Sequence, residues 1–383
     1  MPKLGRANVV KICLISKYPP IEGGIAAKTY WMSRGLAEAG LDITVVANSS
    51  LVEREYGIQK IDKQPATIKN LEVHSIESSN PWHIPNSDHA ETRLLNLLLQ
   101  LHDRRQFDLI DSGYLVPYGV VAYLANQITS IPYIVRHGGS DLAKFLDHPE
   151  YRFLLKQAIA HANLVVTDRH NAKVLGELSR RTPIQPTYIP DERIFKPKAL
   201  RPSTAPTFAY IGKVNYHWRR RGLDKIAELF EGIDTLKWQL LFVSQGTGLD
   251  DFRNSLSEEM RQRIIFRPFV PPWEMPRLLA SVDYIFSLAV DEPMEDPSNL
   301  VLEALASGTE VITNRKLPAG ESVHQLDLSN MSSCAGYIGH LIQDFKQKDK
   351  ASTIRDSDKE SSYISYIKEN IQAYEHVIAD ASK

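Results

Sequence analysis

The sequence predicts an α/β protein of two doubly wound domains facing a central cleft. Three observations predict it. Short apolar runs alternate with longer amphipathic stretches, the alternation breaks once in a proline-rich stretch, and it then starts again. The length agrees, since 383 residues exceed the roughly 250–300 at which a single core stops growing.

The elements follow in order. In the first half, strands are expected over 10–16, 43–47, 107–110, 133–136 and 164–167, with helices over 26–39, 92–101, 118–127 and 152–160 between them. The stretch 196–206 holds Pro197, Pro202 and Pro206 without helical periodicity and reads as a linker. Beyond it, strands are expected over 207–211, 239–243, 284–288 and 310–313, with helices over 223–230 and 298–306. The charged stretch 347–361 reads as a connector, and 362–378 carries apolar residues at helical spacing. The expected domains are therefore two Rossmann-like units over 1–195 and 196–360, with a terminal helix in 361–383 that packs back on the first. Open sheets of this kind bind ligands beyond the carboxyl ends of their strands.

Composition narrows the class. Hydrophobic residues make up 43% and charged residues 24%, and the net charge is −1. No global field argues for a nucleic-acid partner. The apolar run near the N-terminus is interrupted by Lys11 and reads as a buried strand rather than a signal peptide, and no run approaches ~18 consecutive apolar residues. The expectation is a cytoplasmic chain, with peripheral membrane contact left open. Cys13 and Cys334 match no metal or redox spacing and read as small core residues in a reducing compartment.

Four segments carry chemistry. The first runs Glu295, Asp296, Pro297, Ser298, Asn299, Leu300, Val301, Leu302, Glu303 and on to Gly308. Ser298 is a suitable N-cap and Gly308 a suitable stop. Glu295 then sits in the loop before the helix and Glu303 more than a turn inside it. The backbone of Ser298, Asn299 and Leu300 can meet a diphosphate at the positive end of the helix, and Glu303 can accept hydrogen bonds from ribose hydroxyls. Two solvated glutamates around a surface helix are the plain alternative. The second segment is Tyr18 to Ile25, where Gly23 and Gly24 let backbone approach a ligand and open a helix; a simple turn is the alternative. The third is Val135, Arg136, His137, Gly138, Gly139 at a strand end, where His137 faces the cleft and can donate or accept near neutral pH; a structural histidine is the alternative among 12. The fourth is Gly212, Lys213, then Arg219, Arg220, Arg221, Gly222. Cations here balance a diphosphate leaving group, although a run of arginines is often only solvated charge.

Together these segments resemble the signature of the retaining glycosyltransferases of family 4, the group-1 transferases of GT-B fold. The resemblance is close in the quoted segments and extends over 11–47, including Leu36 to Gly40. It implies that Glu295 lies near the donor sugar, that Glu303 binds the ribose, that Gly24 lies near the transferred sugar or the acceptor, and that His137 lies near the sugar's primary alcohol. It places Lys213 and Arg221 where the family has arginine and lysine, and Arg267 and Phe269 in the segment that holds the base. The chain departs from the family at Asp296, Pro297 and Ser298, where Gly-Phe-Gly is usual; proline removes a donor and narrows the loop. Lys213 for arginine and Arg221 for lysine change the geometry of phosphate contact.

The implied activity is hexosyl transfer with retention from a nucleotide-sugar donor, UDP-glucose first and GDP-sugars second, to a saccharide or lipid-linked saccharide acceptor in bacterial polysaccharide synthesis. No cofactor or metal is implied. His137, Glu295 and Lys213 are the expected catalytic groups. A nucleotide-sugar epimerase and a non-catalytic nucleotide-sugar-binding protein remain alternatives. Trp82 and His83 are a candidate stacking loop, with a loop anchor the plainer reading, and Asp356 and Asp358 mimic a metal-binding pair in a charged connector.

Overall fold

The computed structural model describes residues 9–49, 54–59, 61, 65–76, 88–179, 181–186, 188–197, 205–233, 236–290, 297–317, 320, 322–345 and 362–382. The first half runs β1 (Lys11–Ile15), α1 (Gly24–Glu38), β2 (Asp42–Ala47), β3 (Leu71–Ser75), α2 (Asp88–Arg105), β4 (Leu109–Ser112), α3 (Val120–Thr129), β5 (Tyr133–Arg136), α4 (Ser140–Phe145), α5 (Arg152–Ala160), β6 (Leu164–Val166) and α6 (Ala172–Leu178). The second runs β7 (Thr207–Lys213), α7 (Leu223–Glu228), β8 (Gln239–Gln245), α8 (Leu249–Ser255), α9 (Glu258–Arg263), β9 (Ile264–Arg267), α10 (Met275–Ala280), β10 (Tyr284–Ser287), α11 (Asn299–Ala306), β11 (Glu310–Thr313), β12 (Val323–Gln325) and α12 (Met331–Gln343). The last helix is α13 (Ser362–Ala381).

The two sheets share one topology. The first is ordered β3-β2-β1-β4-β5-β6 and the second β12-β11-β10-β7-β8-β9, which is the same order read from its other edge. Every strand pair is parallel. In such sheets the crevice opens where the strand order reverses. Those points lie between β1 and β4 in one sheet and between β7 and β10 in the other. The loops after β1 and β7 are therefore placed by topology at the two crevices.

Strand burial explains the composition of the runs. Ile12, Cys13, Leu14 and Ile15 in β1 are all buried, as both faces of a parallel sheet are covered by helices. One large apolar cluster takes residues from both halves: Leu14, Tyr30, Trp31 and Leu36 from the first, and Ala209, Leu279, Val301 and Ala304 from the second. The Tyr30 and Trp273 rings meet across the boundary at 5.2 Å.

Helix α13 returns from the second half to lie on the first. Its Tyr363, Tyr366, Ile367, Tyr374 and Val377 are buried in the shared cluster, and Tyr363 Oη donates to the Trp31 carbonyl at 3.0 Å. Beneath it lies a buried polar network. Arg136 Nε donates to both Asp111 oxygens at 2.9 Å, Arg136 Nη2 to Asn370 Oδ1 at 2.6 Å, and Tyr374 Oη to Asp111 Oδ2 at 2.5 Å. Lys28 lies near this network, and burial, with the Arg136 charge, pushes its ammonium down to about 8 against the pull of Asp111, Asp141 and Asp168.

Several elements differ from the sequence expectations. Strands β3 and β12 and helices α4, α6, α8, α9, α10 and α12 are additions to the elements expected from the sequence, whereas β9 is the short strand expected to lead into Arg267. The expected helix over 118–127 begins as a π-helical turn, Leu115–Gly119, before α3. Part of the proline-rich stretch, residues 198–204, lies outside the described residues, as do Trp82, His83, Asp356 and Asp358. Among the described residues, no helix is long and apolar enough to cross a membrane. Cys13 and Cys334 are unpaired and buried.

Candidate active site between the two sheets

The loop after β1 is built to present backbone. Gly23 is the N-cap of α1 with φ of 106°, a left-handed conformation that side chains disfavour. A Cβ there would meet Lys213 Cε at 3.0 Å, so the Lys213 side chain from the end of β7 lies against the Gly23 backbone. One residue on, Asn299 Nδ2 donates to the Gly24 carbonyl oxygen at 3.0 Å. The N-terminus of α1 and the N-terminus of α11 thus meet, one from each half. Ser298 caps α11, its hydroxyl accepting from Val301 N at 3.4 Å.

The β1–α1 loop is held from its far side by residues 54–59. Glu22 N donates to the Tyr56 carbonyl at 3.0 Å and Ile58 N to the Pro20 carbonyl at 2.7 Å. That segment also reaches the second half. Tyr56 Oη and Thr247 Oγ1 are 2.9 Å apart, and Gln245 Nε2 donates to the Gly57 carbonyl at 2.7 Å. The Lys213 ammonium stands 5.0 Å over the Tyr56 ring.

Glu22 is a group the sequence reading missed. Its residue is 2% exposed, and Lys213 Nζ lies 3.8 Å from its Oε1. Burial pushes its carboxyl up to about 8, although the Lys213 and Arg221 charges pull the other way. Arg221 closes a 3-10 turn, Trp218–Arg221, and Gly222 follows in the left-handed region with φ of 64°. Arg221 is itself exposed. Lys213 and Arg221 are therefore brought together around Glu22, at the point where β7 opens toward α1.

Glu303 faces elsewhere. It lies on the second turn of α11, is 4% exposed, and its Oε1 accepts from Tyr188 Oη at 2.7 Å. Burial pushes its carboxyl up to about 7, and the Tyr188 hydroxyl counteracts this in part. Tyr188 lies just before the end of the first half, at a position to which the sequence reading gave no role. The carboxyl expected to meet ribose hydroxyls is capped here by a tyrosine hydroxyl.

His137 is also enclosed, at 2% exposure. Its Nδ1 accepts from Gly139 N at 3.2 Å, which leaves Nε2 to carry the proton toward Thr167 Oγ1 at 2.8 Å, with Asp168 Oδ2 at 3.9 Å. The adjacent Gly138 packs on the first turn of α1, since a Cβ there would come 2.9 Å from Ile25 Cδ1. His137 therefore stands behind the same helix start that carries Gly24.

The remaining sites divide. Leu300 and Phe269 are half-buried against the shared apolar cluster. Arg267 ends edge strand β9 and is exposed. Glu295 and Asp296 lie outside the described residues. Among the described residues, no group of three or more His, Cys, Asp or Glu could hold a metal ion.

Residues 23–172 match the family model described as a glycosyl transferase 4-like domain. Solved structures align over nearly the whole chain. Sucrose-phosphate synthase from Thermosynechococcus elongatus is 16% identical, with 97% of each chain covered and a TM-score of 0.66. The catalytic domain of starch synthase IV from Arabidopsis thaliana, bound to ADP and acarbose, is 11% identical, with 97% of this chain and 100% of that one covered and a TM-score of 0.64. Anabaena HepE in complex with UDP-glucose is 14% identical, with 97% and 98% covered and a TM-score of 0.58. The fold is GT-B. No curated protein matches the sequence. The GT-B architecture accounts for both halves, and the glycosyl transferase 4-like match covers the β1–α1 loop from Gly23 through His137 and Thr167.

Proposed function

We propose that the protein is a glycosyltransferase that moves a hexose from a nucleotide-sugar donor, with retention, to a saccharide or lipid-linked saccharide. The observation that carries this reading is the meeting of Gly24 and Asn299 beside Lys213. Each helix N-terminus presents about half a positive charge, so two of them with Lys213 and Arg221 offer nominally about three. A donor diphosphate, at about two negative charges, suits such a site. Two GT-B neighbours carry nucleoside diphosphates or nucleotide sugars in their solved complexes: HepE with UDP-glucose, and starch synthase IV with ADP. UDP-glucose is accordingly the first donor to try.

The diphosphate lies between the N-terminus of α11 and the cations, and the sugar lies beneath Gly24 and in front of His137. The acceptor oxygen bonds to the anomeric carbon on the face from which the phosphate oxygen departs. The departing phosphate oxygen takes the acceptor's proton. Lys213 and Arg221 stabilise the charge that grows on the leaving group. Glu295, which precedes α11 in the sequence, is assigned to the sugar hydroxyls, and Glu303 to the ribose once Tyr188 yields its place. Arg267 and Phe269 are assigned to the base. No metal is required in this scheme. The setting proposed is bacterial polysaccharide synthesis in the cytoplasm, with an acceptor at the inner face of the membrane.

The test is donor hydrolysis across a panel of nucleotide sugars, without added metal, for wild type, Lys213→Ala and Glu303→Ala. Nucleotide release from one donor, lost in both variants, is the expected result. No release and no donor binding across the panel would overturn the reading.

A further inference from the structure

The donor site described above contains an acid with no role in the proposed reaction. Glu22 sits between Pro20 and the Gly23–Gly24 pair, buried to 2% exposure, and neither carboxyl oxygen has a hydrogen-bond partner within 3.5 Å, the Gln245 amide being the polar side chain near enough to favour its charged form. The opposite charge beside it is Lys213, whose Nζ is 3.8 Å from Oε1. Its surroundings are drawn from both halves: Lys213 and Tyr210 from β7, Arg221 from the turn before α7, and Tyr56 beneath the Lys213 ammonium. An ionised Glu22 takes one charge from a site whose purpose, on the reading above, is to attract a diphosphate. A diphosphate resting on Lys213 would also bring its own negative charge beside a carboxylate that is itself closed to water.

We infer that Glu22 makes donor binding proton-linked: the diphosphate takes Lys213 only with the Glu22 carboxyl protonated, and the neutral carboxyl then donates a hydrogen bond to the bound donor. This rests on the donor-site reading of the preceding section. The carboxyl's lack of a close partner fits it, because a neutral acid needs an acceptor for its proton; Gln245 Oε1, itself buried without a partner, can take it before the donor binds, and the diphosphate when the donor is bound. The burial that already raises Glu22 acts in the same direction, and a bound anion adds to it. Glu22 is here a positioning residue for charge, not a nucleophile or base.

The sign of the effect is definite. Below pH about 8 the unliganded carboxyl is neutral, and donor binding needs no proton. Above it the carboxyl is ionised, and each donor bound takes up one proton from solvent. Affinity then falls with pH, approaching a limit of about tenfold per unit well above that value. The diphosphate diester of a nucleotide sugar does not titrate in this range, so it adds no proton of its own.

The experiment is calorimetric binding of UDP-glucose, ADP-glucose and GDP-mannose to the full chain from about pH 6 to about pH 9. Runs at the highest pH in two buffers of different ionisation enthalpy count protons. Wild type should lose about fivefold in affinity over the last pH unit and take up nearly one proton at its end. Glu22→Gln, with a wild-type melting temperature, should bind across the range without that loss or uptake. Glu22→Asp should restore the pH dependence. A Glu22→Gln profile that follows wild type overturns the inference and leaves the donor site intact. Should Glu22→Gln fail to fold, wild-type binding without proton uptake overturns it equally. Absence of binding by all three probes at every pH overturns the donor-site reading and this inference with it.

Discussion

The Asn299 side chain donates to the Gly24 carbonyl oxygen at 3.0 Å, so helix starts 275 residues apart in sequence share one hydrogen bond. Each belongs to a different parallel sheet, and each follows the loop that its sheet's topology opens. The bond joins the halves at the point where the proposed donor must enter. Perturbing this junction should therefore change donor binding more than overall stability.

Gly23→Ala tests the junction directly. The positive-φ extended backbone costs about 1–3 kcal/mol with a Cβ present, and that Cβ would meet Lys213 Cε at 3.0 Å. The expected outcome is a lower melting temperature together with weaker donor binding. Gly40→Ala is the control. It also has a positive φ, 103°, but nothing lies within 4 Å of its Cβ. It should lose comparable stability while donor binding stays at the wild-type level.

Glu303 should make stability fall as pH rises. Its carboxyl is raised to about 7 in the fold and titrates near 4.5 when exposed. A raised acid favours folding most below the unfolded value, and this contribution is lost as pH climbs through the folded value. The window is therefore about pH 4.5 to 7, and its full size is on the order of 3 kcal/mol. Urea unfolding across that window should show wild type losing stability relative to Glu303→Gln. Parallel curves for the two would sink the assignment.

Tyr188→Phe removes the hydroxyl that partners this buried acid. A lost hydrogen bond to a buried group costs about 1–3 kcal/mol. Without the hydroxyl, which favours the charged form, the Glu303 carboxyl should titrate higher still. Chemical denaturation gives the first quantity. Carboxyl infrared bands followed through a pH series give the second.

The network under α13 should separate two kinds of loss. Asp111→Ala leaves the Arg136 guanidinium buried without its counter-ion and is expected to cost about 3–5 kcal/mol. Tyr374→Phe removes a hydrogen bond to the same carboxylate and leaves the ion pair in place, costing about 1.5–3 kcal/mol. Equal losses for the two in urea unfolding would mean that α13, not the ion pair, carries the stability here.

The alternation of apolar runs was enough to find the doubly wound halves, because strands covered on both faces must be apolar along their whole length. Strand β3 escaped for the opposite reason. Leu71, Glu72, Val73, His74 and Ser75 form an edge strand with two exposed residues, and such a strand carries little apolar signal. The short helices α8, α9 and α10 are set by packing on the second sheet rather than by a periodic face of their own. In the candidate site, Gly24, Lys213, Ser298 and Asn299 were legible because helix starts and strand ends have recognisable spacing. Glu22 carries a weaker signal: an acid directly before a glycine pair, in a loop between strand and helix.

What the sequence by itself determined is local: which runs are strands, where helices begin and which side chains stand at those beginnings. Periodicity and capping act within a few residues, so they are written in the order of the chain. What only the tertiary structure decided is pairing across the halves. Glu22 meets Lys213, Glu303 meets Tyr188, and Asp111 meets Tyr374, across 115 to 263 residues for the latter two. These contacts exclude water from carboxyl groups that sequence reading would leave solvated. The exclusion of water, and not the identity of the acids, is what raises Glu22 to about 8 and Glu303 to about 7.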